Sequence, residues 1–245
     1  MLKRDDALKT VVKFTTYKKG ILVENGISKN CVIQKIGTGF FMKRDNVNNK
    51  LYVITANHVA KEFDNTTIIE IMGKNQKVIS VNLAVLQNGL NIINHPTADI
   101  SAIEIDVSTF NNLNSDVQIF CTNLIDNSKI TNLSRDIELT SIGFPKNLGT
   151  NLRFAPLTFR SFPSSNIIEN INLSNGYISD IFVLENPSCG GYSGGPVLDL
   201  GYKVDAFITQ SSQTVIYGIM HGTISDDTGG KMAVVTPAIY ILDII

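Results

Sequence analysis

The feature that most constrains this chain is its rhythm. Apolar runs of strand length recur along it, each closed by a polar turn cluster, with no long amphipathic helical stretch between them. The runs expected to be strands in the first half are Val11–Tyr17, Val32–Met42, Leu51–Ala56, Thr66–Met72, Val78–Gln87 and Ile100–Val107, with a turn over Asp45–Asn49. In the second half they are Ile137–Ile142, Arg153–Arg160, Tyr177–Leu184, Gly195–Asp199, Val215–His221 and Ala233–Pro237. Many short strands without interleaved helices predict an antiparallel all-β architecture. The Asn-, Ser- and Asp-rich stretch Ser108–Arg135 separates the two sets, and the apolar tail Ala238–Ile245 reads as a short closing helix. The expected organisation is therefore two six-stranded antiparallel barrels, residues 1–115 and 136–245, joined by a linker over 116–135.

Composition sets the outer limits. At 43% apolar and 18% charged, 245 residues suffice for a full hydrophobic interior and exclude a disordered chain. A net charge of −1 gives no electrostatic ground for binding nucleic acid or an anionic membrane. The apolar runs are far shorter than a membrane-spanning helix. The start, Met1-Leu2-Lys3-Arg4-Asp5-Asp6, lacks the apolar stretch of a secretory signal. Cys31, Cys121 and Cys189 cannot all pair, so they read as reduced thiols in a cytoplasmic protein. Abundant Asn, Lys and Ile suggest an AT-rich bacterial genome.

Chemistry enters at Gly190-Gly191-Tyr192-Ser193-Gly194-Gly195-Pro196. Glycine is favoured where backbone passes through positive φ or approaches another group closely. Small residues on both sides leave the Ser193 hydroxyl uncovered and free backbone N–H groups to face a ligand, as a nucleophile beside an oxyanion hole requires. A glycine-rich hairpin turn is the plainer alternative. A general base must come from the three histidines, His58, His95 and His221. His58 follows the apolar run Leu51–Ala56, a rigid mount for proton transfer. Asp99 opens the strand Ile100–Val107 on the same face as Ile103 and Ile105, where a carboxylate is costly unless paired. The alternative for Asp99 is a turn cap after Pro96.

The serine segment, Ile54-Thr55-Ala56-Asn57-His58-Val59 and the order His58, Asp99, Ser193 resemble the trypsin-like (chymotrypsin-fold) serine proteases. In motif style they are similar to the catalytic core of bacterial high-temperature-requirement (Deg-type) proteases, without a PDZ domain. Gly37-Thr38-Gly39-Phe40-Phe41, Ile142-Gly143-Phe144-Pro145, Tyr217-Gly218-Ile219-Met220 and Val235-Thr236-Pro237 extend the resemblance over about residues 30 to 240. It implies a chymotrypsin-like pair of barrels and an endopeptidase acting through an acyl-enzyme, with no cofactor and no metal. In that scheme Ser193 attacks the carbonyl, His58 shuttles the proton, Asp99 orients His58, and the N–H groups of Gly191 and Ser193 form the oxyanion hole.

Departures matter too. Tyr192 stands where secreted relatives carry an aspartate that binds a freshly cut N-terminus, so activation by trimming is not expected. Pro187 replaces the acidic base of a trypsin pocket, which disfavours Lys or Arg substrates. Cys189 and Thr223 are further pocket candidates, Cys189 with a buried inert thiol as the alternative. His221 belongs to the pocket wall if the strand register holds, where it would bond a Glu or Gln side chain, or is structural. His95 reads as a turn residue. The partner is a polypeptide substrate. Two rivals stand beside a competent protease: a protease-fold sensor or binding module, and a latent enzyme switched on by an activating partner protein.

Overall fold

The structure, a computed structural model, describes residues 4–24, 27–45, 50–87, 89, 91–173, 176–204 and 209–245. Its longest feature is a hairpin of β1 (Val11–Glu24) and β2 (Ile27–Lys43), in register from Val11 opposite Phe40 to Glu24 opposite Ile27. Around it lie β3 (Leu51–Thr55), β4 (Ile68–Met72), β5 (Val78–Asn82), β6 (Ile92–Asn94) and β7 (Ser101–Ile105), in the order β5-β4-β1-β2-β3-β7-β6. A short strand, β8 (Phe120–Cys121), pairs parallel with β2.

The second sheet contains β9 (Leu139–Gly143), β10 (Leu157–Ser161), β11 (Ile168–Asn172), β12 (Ile178–Leu184) and β13 (Pro196–Asp199). After a small hairpin, β14 (Tyr202–Val204) and β15 (Thr209–Ser211), come β16 (Val215–Ser225) and β17 (Lys231–Pro237). The sheet order is β10-β9-β13-β16-β17-β12-β11. The chain is thus all-β in two sheets of eight and seven strands, antiparallel apart from β8, short strands adding to the six anticipated in each, with a closing 3-10 helix at Ala238–Asp243.

Strand alternation explains how the halves join. In β2 and β3, Phe41, Leu51 and Val53 point into a core internal to the first half. Their neighbours Phe40, Met42, Tyr52 and Ile54 point the other way, into a core shared with Phe144, Phe154, Ile219 and Ile241 of the second half. Burial on both faces makes these strands continuous apolar runs rather than alternating ones. Each such side chain contributes about 1.5–3 kcal/mol by leaving water, so the seam between the sheets is held as firmly as either interior.

Three local expectations are corrected. The run Val78–Gln87 is a strand only to Asn82, and Leu83–Gln87 is a helical turn whose Ala84 N–H donates to Asn82 Oδ1 at 2.8 Å. Periodicity cannot separate strand from helix in so short an apolar run. The polar stretch after Ser108 holds two helical turns, Val107–Asn111 and Asn127–Thr131, capped by the Asp106 and Asp126 carboxylates. Ile168–Asn172 is a strand that its Asn-rich composition concealed. The turn anticipated over Asp45–Asn49 falls, from residue 46 onward, outside the described residues.

Candidate active site

His58 leaves the end of β3 on a single helical turn, Asn57–Ala60, and Asp99 sits just before β7, the strand paired with β3. That pairing brings residues 41 apart in sequence together. His58 Nδ1 lies 2.6 Å from Asp99 Oδ2, and the His58 backbone N–H donates to Asp99 Oδ1 at 2.8 Å. Asp99 is fully buried, while the His58 side chain keeps 30% exposure. The turn presenting Asp99 is itself pinned by His95, whose Nδ1 accepts from the N–H of Ala98 at 2.7 Å and of Thr97 at 3.2 Å. The His95 Nε2 then faces Asp243 Oδ2 at 3.2 Å, tying this turn to the C-terminal helix.

A second imidazole reaches the same carboxylate. His221 Nδ1 lies 2.5 Å from Asp99 Oδ2, and its ring meets that of His58 edge-on with centroids 5.1 Å apart. Burial alone would raise the Asp99 pKa, but the hydrogen bonds from His221 and His58 outweigh it and hold the group at about 2. An ionised carboxylate only accepts, so both histidines carry their neutral-state proton on Nδ1 and leave Nε2 as a base. Of the two readings for His221, pocket wall or structural residue, the contact with Asp99 agrees with the structural one. The reason is a bulge. In the pairing of β16 with β17 the register shifts between Met220 and Gly222, so His221 is the extra residue and is aimed off the alternation.

Ser193 belongs to a loop that only glycine can build. Gly191 has φ +108° and a Cβ there would lie 2.3 Å from the Phe144 carbonyl oxygen. Gly194 has φ +86° and its Cβ would meet the Thr38 carbonyl oxygen at 2.1 Å. The loop is tied to the first sheet by Thr38, a fully buried residue of β2. The Thr38 N–H donates to the Ser193 carbonyl at 2.8 Å and its hydroxyl to the Gly191 carbonyl at 2.6 Å. Tyr192, 5% exposed, anchors the loop from below with its ring against Phe159. Thus the position where secreted relatives rely on a carboxylate is held here by packing. The Ser193 hydroxyl donates to the His221 backbone carbonyl at 2.9 Å rather than to His58. The N–H groups of Gly191 and Ser193 make no hydrogen bond to another described residue.

Ser193 and His58 border a cleft of about 240 Å³, lined also by Phe14, Ile36, Val59, Phe63, Gly190 and Gly191. Pro187, Cys189, His221 and Thr223 do not line it. Pro187 and Cys189 are exposed, against the expectation of a buried thiol, and Thr223 donates its hydroxyl to the Ser188 carbonyl at 3.1 Å. His58, Asp99 and His221 form the one group of three potential metal-binding side chains found among the described residues. Their 2.5 and 2.6 Å separations are those of hydrogen bonds, whereas a tetrahedral ion with bonds near 2.0–2.1 Å spaces its ligands about 3.3 Å apart. Two contributors escaped the sequence reading. Thr38 was visible only as the centre of Gly37-Thr38-Gly39, and the His221 contact had no signal at all.

Two strands of evidence now place the chain among known proteins. The trypsin-like peptidase domain family matches residues 37–204, and the chain belongs to that family. Among solved structures, the apo MamO protease domain from Magnetospirillum magneticum superposes with a TM-score of 0.58 at 13% identity, covering 97% of this chain and 96% of that one. The HtrA-type protease AlgW with a tripeptide gives 0.59 at 15% identity over 98% of this chain, which spans 60% of AlgW. The active form of the Rv3671c protease from M. tuberculosis gives 0.55 at 16% identity, over 97% and 79%. At such identities the likeness is one of fold, chymotrypsin-like and shared with HtrA-type protease domains. No curated protein sequence matches the chain.

Proposed function

We propose that this protein is a serine endopeptidase in which Ser193 is the nucleophile, His58 the general base and acid, and Asp99 the group that orients His58. One observation carries the reading: the buried Asp99 carboxylate fixes the His58 tautomer while Ser193 shares the cleft that His58 borders. In this scheme the Ser193 hydroxyl leaves the His221 carbonyl and turns toward His58 Nε2 across the cleft that both residues line. Attack on a peptide carbonyl then puts negative charge on the carbonyl oxygen, and the unpaired N–H groups of Gly191 and Ser193 are the donors for it. His58 passes the proton to the leaving amine, and water later releases the acyl group by the same route.

Reaction with a fluorophosphonate probe tests this directly. Wild type should label and Ser193→Ala should not, with peptide hydrolysis lost in parallel and the melting temperature nearly unchanged. Equal labelling of both proteins overturns the nucleophile assignment. The Ser193 hydroxyl resting on His221 supports a second reading, an enzyme latent until a substrate or partner protein turns the serine. That reading expects labelling only after peptide or partner is added.

A further inference from the structure

The cleft beside Ser193 is bordered by His58 and by apolar residues of the first sheet. A peptide carbonyl seated on Ser193 continues in two directions. The amine half must run toward His58, because that ring delivers the proton to the leaving nitrogen. The cleft is bounded by His58, by Val59 and Phe63 that follow it, and by Phe14 and Ile36 of the first sheet. It is therefore on the leaving-group side, with Gly190 and Gly191 of the serine loop at its other border.

Its floor is apolar. Phe14 and Phe63 are 1% and 9% exposed, with ring centroids 4.5 Å apart, and Val59 is 7% exposed. Lys35 and Glu62 flank the mouth and face each other at 3.7 Å, with roughly half-exposed side chains. They offset one another, so the rim gives no net charge to select a charged residue. A volume of about 240 Å³ is ample for one large side chain; an apolar cavity of about 150 Å³ holds benzene.

We propose that this cleft is a specificity site, and that it takes a large apolar or aromatic side chain from the residue immediately after the scissile bond. The inference rests on the serine-protease reading above. It places selection on the amine half of the substrate, which also makes the cleft the docking site for any amine that intercepts the acyl-enzyme. In that interception the amine nitrogen bonds to the acyl carbon, the Ser193 ester bond breaks, and His58 moves the amine proton to Ser193 Oγ.

Interception supplies the test. The full-length protein is acylated with p-nitrophenyl acetate, and the acyl-enzyme is partitioned between water and added phenylalaninamide, leucinamide or glycinamide. Phenylalaninamide and leucinamide should give at least 10-fold more aminolysis than glycinamide at equal concentration. Val59→Phe, which narrows the cleft, should erase or reverse that ratio. If Val59→Phe misfolds, the wild-type ratio alone decides. A nitrophenol burst with equal partitioning among the three amides overturns this inference while leaving the protease reading intact. Absence of any burst in wild type, both alone and after preincubation with peptide, overturns the protease reading and this inference with it.

Discussion

Asp99 accepts three hydrogen bonds in a position with no water access, from the His58 ring, the His58 backbone and the His221 ring. Asp99→Asn presents an amide that donates to one ring, forcing the wrong His58 tautomer, and should lower kcat by roughly 10⁴-fold; peptide turnover checks this. The group also links stability to pH. Its folded pKa is depressed to about 2, so its contribution is fully present above the ordinary carboxylate value of about 3.9 and is lost as pH falls through about 2. The stability gap between wild type and Asp99→Asn in urea should accordingly narrow from pH 4 down to pH 2. His221 is expected to act as a positioning residue. His221→Asn keeps an N–H near the Nδ1 position and should retain most turnover, whereas His221→Ala should lose 10-fold or more in kcat with little change in KM. A downfield Nδ1–H proton resonance lost in both variants identifies the His221 bond independently of rate. The pairing of His58 with Asp99 was legible because each lies in a short motif with a local reason for its residue type. The His221 contact was not, because a one-residue bulge in β16 reverses which face a side chain takes.

At the scale of elements, the serine loop and β2 hold one another. Gly194→Ala forces a Cβ toward the Thr38 carbonyl at φ +86° and should cost roughly 1–3 kcal/mol or more, read by denaturant unfolding, with probe labelling falling as the loop shifts. Thr38→Val removes the hydroxyl that donates to the Gly191 carbonyl and accepts from the Phe144 N–H at 3.2 Å. Two buried backbone groups are then left without partners, at about 1–3 kcal/mol each. Labelling should fall more steeply than the melting temperature predicts, because the Gly191 N–H loses its aim. Strand existence was readable wherever both faces of a strand are buried, as in β3, whose five residues are all buried. It was obscured where composition is polar, as in β11, and where a helical turn interrupts an apolar run, as after β5.

Across the whole molecule, the two sheets are joined by the shared core, by the Thr38 and His221–Asp99 bonds, and by a further buried polar link. Lys13 of β1, 4% exposed, faces Glu70 of β4 at 2.7 Å and donates to the Thr150 hydroxyl in the second half at 2.7 Å. Lys13→Met leaves Glu70 largely buried and unpaired and should cost about 3–5 kcal/mol. Adding Glu70→Leu should recover much of that, since an apolar pair needs no compensation; thermal unfolding of the two proteins decides. By itself the sequence determined the fold class, the antiparallel pairing of short strands and the candidates for acyl transfer. Those properties follow from side-chain period and local backbone chemistry, which neighbouring residues settle among themselves. The tertiary structure decided that Thr38 clamps a loop 153 residues away, that His221 leans on Asp99, and that the cleft opens toward His58. Each depends on the register in which two sheets meet, and register is fixed by the packing of residues far apart in the chain.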